Sequence, residues 1–133
     1  SAAEIGKNCH IASNVSISGG AGKLIMGDYS TISNGCSIHC ASSDYRECSL
    51  DLPSVPRDIQ FGGHIEDIKI GNCVVVGAHS CILPGCEIPD GVAFGAYTLV
   101  KKNIEYSAFH LYVGHKCRDL GERQNKHLLE HLT

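Results

Sequence analysis

From Ile68 to Val100 a large apolar residue returns at every sixth position: Ile70, Val76, Ile82, Ile88, Phe94 and Val100. Two residues before each stands a small or apolar one, namely Ile68, Val74, Ser80, Cys86, Val92 and Thr98. Ile5, Ile11 and Ile17, then Met26, Ile32 and Ile38, obey the same rule in the first half, with Cys9, Val15, Leu24, Ser30 and Cys36 in the minus-two slot. An α-helix cannot use this period, because six residues turn it through about 600° and successive aliphatics drift around its surface. An antiparallel sandwich predicts strict alternation, which is missing. A triangular coil fits: each hexad makes one short strand and one corner, three hexads close a turn, and every key aliphatic points inward to be covered by its neighbours above and below. The twelve key positions make about four such turns. The pattern therefore predicts an all-β parallel β-helix, a triangular prism of hexapeptide repeats.

The register breaks twice. "GGAG" at 19–22 adds a short excursion, and a longer segment carrying Pro53, Pro56 and "FGG" separates the two repeat arrays. The expected organisation is one domain over 1–133, with coils at 4–38 and 68–102, a long loop extruded at about 39–67, and a tail with a short α-helix in 103–133. Leu120, Leu128, Leu129 and Leu132 give "DLGERQNKHLLEHL" (119–132) an amphipathic helical pattern suited to capping the open end of the stack.

A net charge of -3 gives no broad basic field for nucleic acid or anionic membrane. No run reaches the length of a transmembrane helix and no secretory signal opens the sequence, so a cytoplasmic protein is expected. Of the eight cysteines, Cys9, Cys36 and Cys86 fall in the small minus-two slot and none forms a CxxC pair. They read as small apolar fillers in a reducing compartment, and no metal is expected.

The run "IKIGNCVVVGAHSCILPGCEIPDGVAFGAYTLVKK" resembles the hexapeptide-repeat acyltransferases. The stretches "GDYSTIS", "SSDY", "GAYTLVKK" and "LLEHL" are similar to the small sugar O/N-acetyltransferases of surface-polysaccharide biosynthesis, galactoside O-acetyltransferase-like or nucleotide amino-sugar N-acetyltransferase-like. The resemblance implies a left-handed coil, a homotrimer, and acetyl-CoA as co-substrate in a groove between neighbouring prisms. It places Ser33, Ala78 and Ala96 along the pantetheine path, where a bulky side chain would block the approach. It places Lys101, Lys102 and Arg118 near the phosphates, where cations suit the charge.

The sequence also departs from that family. The loop histidine that serves galactoside-type members as base aligns with Ser43, their helping Asn aligns with Ala12, and the common "GNPAR" reads "GHKCR" at 114–118. A sugar hydroxyl needs a general base, whereas an amine near neutrality is already partly unprotonated, so an amino-sugar acceptor suits the loss. His10 beside Ile11, His39 at the start of the loop, and Asp44 in "SSDY" are the candidates to take a proton or hold the acceptor. The expected function is acetyl transfer from acetyl-CoA to a sugar, aminodeoxy or nucleotide-linked. The rivals are O-acetylation of a plain sugar, a trimeric scaffold without chemistry, and a zinc lyase using His110 and His115. His64 and His79 read as surface residues, and His127 and His131 as an i, i+4 pair lacking a third ligand.

Overall fold

The computed structural model describes residues 2–42 and 64–124. Its short strands stack in parallel into three faces. Face A orders β1 (Ala2–Ile5), β4 (Lys23–Met26), β9 (Ile68–Ile70) and β12 (Glu87–Ile88). Face B orders β2 (His10–Ile11), β5 (Thr31–Ile32), β10 (Val75–Val76) and β13 (Ala93–Phe94), extended by β15 (His110–Val113) and β16 (Arg118–Glu122). Face C orders β3 (Ser16–Ser18), β6 (Ser37–His39), β11 (Cys81–Ile82) and β14 (Leu99–Val100). Successive strands pass from face A to B to C and back, so three strands complete one coil, and four coils are formed.

The register stacks the predicted positions on one another. Ile11 pairs Ile32, Ile32 pairs Val76, Val76 pairs Phe94, and Phe94 pairs Tyr112. Ile32, Ile38, Val76, Ile82 and Val100 are wholly buried. The first coil is the exception: Ile5 and Ile11 keep 41% and 38% of their surface exposed because a coil covers them on one side only. The minus-two slot has a polar duty as well as a steric one. Ser30 Oγ donates to Gly71 O (2.8 Å) and accepts from Val74 N (3.0 Å), while Ser80 Oγ donates to Gly95 O (3.1 Å) and accepts from Thr98 N (3.2 Å). Cys36 Sγ donates to Gly77 O in the same way (3.1 Å). A small side chain with one polar atom thus satisfies corner groups that the strands leave unpaired. Among the described residues every cysteine is a free thiol, and burial pushes Cys86 up to about 12.

The edge between faces A and B carries a second ladder. Lys7 N donates to Asp28 Oδ1 (2.9 Å), Asp28 N to Asn72 Oδ1 (2.7 Å), and Asn72 N to Asp90 Oδ1 (2.8 Å). The residue before each of the lower steps is Gly6, Gly27 or Gly71, because the carboxyl or amide of the next coil occupies the space of a Cβ. At Gly27 a Cβ would lie 2.5 Å from Asn72 Oδ1 and 2.7 Å from the Gly71 carbonyl carbon. Gly27→Ala is therefore expected to cost about 1–3 kcal/mol by overpacking, visible as a lower urea midpoint with unchanged slope. Pro89 takes the glycine's place in the top coil. It has no N–H to offer a further strand, and face A ends at β12.

Two features correct the expected outline. The loop leaves and re-enters through an antiparallel ribbon, β7 (Ala41–Ser42) against β8 (His64–Ile65), so its base is narrower than 39–67. The expected helix over 119–132 does not begin there: Arg118–Glu122 is a strand, antiparallel to β15, and Leu120 is 51% exposed. The remainder of that segment, from 125, lies outside the described residues. Among the described residues, aromatic rings cover this end of the prism. Phe94, Tyr106 and Tyr112 stand with centroids 5.0–6.0 Å apart. Tyr106 Oη accepts from Lys101 N (3.1 Å) and donates to Lys101 O (2.7 Å), capping the last face C strand where no further coil follows.

The β15–β16 hairpin is clasped by Asp119. Its carboxylate accepts from Gly121 N (2.7 Å) and meets His110 Nδ1 at 2.9 Å. The Gly121 amide first, and His110 second, hold this carboxyl below its ordinary value of 3.8. The folded hairpin thus favours the ionised acid. Its contribution is complete above the ordinary carboxylate range and is lost as pH falls through the lowered folded value. Protection factors of the amides at 118–122, taken relative to intrinsic exchange at each pH, are expected to fall in that acid window, and Asp119→Asn to remove the dependence; an unchanged profile in the variant would show that another group controls the hairpin.

Candidate functional site

The edge between faces B and C gathers the small residues selected for the donor. Ser33, Ala78 and Ala96 lie on this one edge in successive coils, and Ala96 is exposed. Their register is offset by one residue. Ser33 N donates to Val76 O, Gly77 N to Phe94 O and Gly95 N to Tyr112 O, so Ser33 stacks with Gly77 and Gly95. His79 N donates to Asn34 O and Tyr97 N to Ala78 O (both 2.9 Å), so the alanines stack with Asn34. The edge is a ridge of small side chains that leaves room for a thin extended molecule, as the pantetheine arm requires.

The ridge ends under a turn at 114–117. Leu99 N donates to Gly114 O (3.2 Å), Gly114 N to Thr98 Oγ1 (3.3 Å), and Cys117 N to Gly114 O (3.0 Å). Arg118 follows at the start of β16, opposite Val113. His115, Lys116 and Arg118 are exposed there, and neither Lys116 nor Arg118 has an acidic partner within ion-pair distance among the described residues. Lys116 was not among the residues chosen from sequence; only its place in "GHKCR" hinted at it.

Lys101 and Lys102 sit elsewhere, beyond β14 on the edge between faces C and A. Lys102 forms an ion pair with Glu66 at the base of the loop. Within the chain, then, Arg118 and the small ridge share an edge and the two lysines do not.

The proton-handling candidates are also separated. His10 stands on β2 of face B, exposed, in register with Thr31, its backbone N donating to Ser30 O (3.0 Å). His39 ends β6 on face C, half-buried, with Nδ1 3.4 Å from Ser18 Oγ. They share no face or edge of one chain. Asp44, like Ser43, lies outside the described residues. His110 is engaged by Asp119 and does not pair with His115. A cleft of about 840 Å³ opens on face A where residues 104–107 cross above β12; Lys69, Glu87, Pro89, Glu105 and Tyr106 help line it. It contains none of the candidate site residues.

No protein-family model matches the chain. A dTDP-4-amino-4,6-dideoxy-D-glucose acyltransferase of Escherichia coli is 36% identical over 121 residues, which cover 91% of this chain and 60% of that protein. A chloramphenicol acetyltransferase of Agrobacterium fabrum is 29% identical over 96 residues, covering 65% of this chain and 46% of the relative. Among solved structures, AntD, an N-acyltransferase from Bacillus cereus in complex with dTDP and 3-hydroxybutyryl-CoA, matches with a TM-score of 0.84 and 27% identity over 98% of this chain and 68% of that one. A maltose O-acetyltransferase from Clostridium difficile shares the fold at a TM-score of 0.62 and 18% identity, over 92% of this chain and 70% of that one.

The chain belongs to the hexapeptide-repeat acyltransferases and has their left-handed parallel β-helix. Within that family its likeness includes the amino-sugar acyltransferase of Escherichia coli. The chain spans about 60% of the length of that relative.

Proposed function

We propose that this chain forms the coil domain of an acetyl-CoA-dependent transferase acting on an amino group of a nucleotide-linked amino sugar in surface-polysaccharide biosynthesis. It works as a cytoplasmic homotrimer with each site between neighbouring prisms. The observation that carries the reading is the ridge of Ser33, Ala78 and Ala96 ending beneath the exposed cations of 114–118. A slender arm can lie on the first, and phosphate charge can be answered by the second. The likeness to a dTDP-amino-sugar acyltransferase over 91% of the chain supports the acceptor class.

Acetyl-CoA, when bound, supplies an activated acyl group as a thioester. A C–N bond forms as the C–S bond breaks, and the amine gives up one proton while the departing sulfur gains one. His10 takes that proton, and Asp44 holds the acceptor nitrogen. Because His10 and His39 lie on different faces of one protomer, a site using both draws them from two copies.

Thiol release from acetyl-CoA, measured with dTDP-4-amino-4,6-dideoxyglucose and with plain galactosides, tests the reading. Release is expected with the amino sugar. Turnover of the galactoside alone would assign O-acetylation instead, and calorimetry showing no CoA binding would leave a scaffold.

A further inference from the structure

We infer that Tyr97, backed by His79, is a stacking shelf for the heteroaromatic base of a nucleotide bound along the edge between faces B and C. Tyr97 immediately follows Ala96 on the ridge and is 68% exposed. Its ring lies on that of His79, centroids 5.2 Å apart and planes inclined by 16°. The His79 ring in turn sits against Gly35, where a Cβ would collide with it. Three successive coils thus build one column of Gly35, His79 and Tyr97, in which each member seats the next and both rings reach the surface.

The backbone holds this arrangement at a cost. Tyr97 and His79 have φ of 59° and 58°, a left-handed conformation that bulky side chains rarely adopt. At these corners the same left-handed backbone is adopted by Gly35 in one coil and by Asn14 in another, so the corner does not itself demand an aromatic residue. A ring with one face packed and the other open loses little freedom when a flat ligand covers it, which is what makes an aromatic platform effective.

The surroundings specify a phosphorylated ligand. The 114–117 turn is hydrogen-bonded to Thr98 and Leu99, the residues directly after Tyr97, and brings Lys116 and Arg118 to that end of the edge. A flat ring beside small residues and exposed cations matches a base joined to phosphate. The adenosine phosphate of CoA and the nucleoside diphosphate of the acceptor share this chemistry. The inference rests on the function proposed above and deepens it by assigning a base-binding residue.

Calorimetric titration of the full chain with CoA, with 4′-phosphopantetheine and with dTDP separates the possibilities. Tyr97→Leu keeps bulk and removes the π face; Tyr97→Phe keeps the ring. Tyr97→Leu is expected to weaken one base-bearing ligand by about tenfold or more, leave 4′-phosphopantetheine unchanged, and be rescued by Tyr97→Phe. Loss confined to CoA assigns adenine; loss confined to dTDP assigns thymine. Unchanged affinity for both in Tyr97→Leu, with wild-type binding intact, overturns the shelf and leaves the proposed function standing. A change in oligomeric state in Tyr97→Leu also overturns it, since the ring then serves a neighbouring copy. Failure of the wild type to bind CoA and dTDP at all overturns both readings.

Discussion

Phe94→Ala is expected to remove about 3–5 kcal/mol of stability. Phe94 is 2% exposed and stands where the repeat meets the closing cluster, edge-on to Tyr106 at 5.6 Å and tilted against Tyr112 at 6.0 Å. Truncation leaves a void bounded by Val76 below and Tyr112 above, the partners it pairs in register. Both are strand residues whose backbones are held in ladders, so the void cannot collapse without breaking hydrogen bonds. Set against the total of about 5–15 kcal/mol usual for a domain, this is a large share. Urea unfolding of wild type and variant at one fixed protein concentration checks it. A loss below about 1 kcal/mol would show that the closing cluster repacks freely.

His10→Ala is expected to lower the rate of acyl transfer by about 10²–10⁴-fold with little effect on folding. The imidazole is exposed on the outer surface of β2, and the backbone there is held by Ser30 O whatever the side chain. Its loss should fall on the chemical step. With an amine acceptor, raising the pH should restore part of the rate, because more of the amine is then unprotonated. Steady-state thiol release across pH measures both effects. Retention of more than about a tenth of the activity would move the role of base to His39, which lies on another face.

The coils were legible because the constraint behind them is local. A buried branched residue every sixth position, with a small one two before it, is written in the spacing of Ile70, Val76 and Ile82 themselves. The ends of the stack were harder to read, because their meaning depends on residues far along the chain. Pro89 marks the last strand of face A only once it is known to replace Gly6, Gly27 and Gly71 on the same edge. Tyr106 caps Lys101 through a hydroxyl, and no hexad predicts that contact. Leu120 suggested a helical apolar stripe with Leu128, yet Asp119 and Gly121 turn 118–122 into a strand against β15.

The site divides in the same way. The family resemblance names Ser33, Ala78 and Ala96, and the stacked register adds the one-residue offset of Ser33. Lys102, which the resemblance places near the phosphates, pairs with Glu66, distant in sequence, across the base of the loop. His10 and His39, both candidates from sequence to handle a proton, lie on separate faces of the prism, which the hexad spacing alone does not say. Tyr97 carried no signal in the period, since a corner residue escapes the inward rule; its exposure and its contact with His79 are properties of the stack.

A crystal structure with CoA bound measures the main claim most directly. The pantetheine arm is expected along Ser33, Ala78 and Ala96, with the phosphates of CoA toward Lys116 and Arg118. CoA seated instead in the cleft of face A, against Lys69 and Glu105, would contradict it.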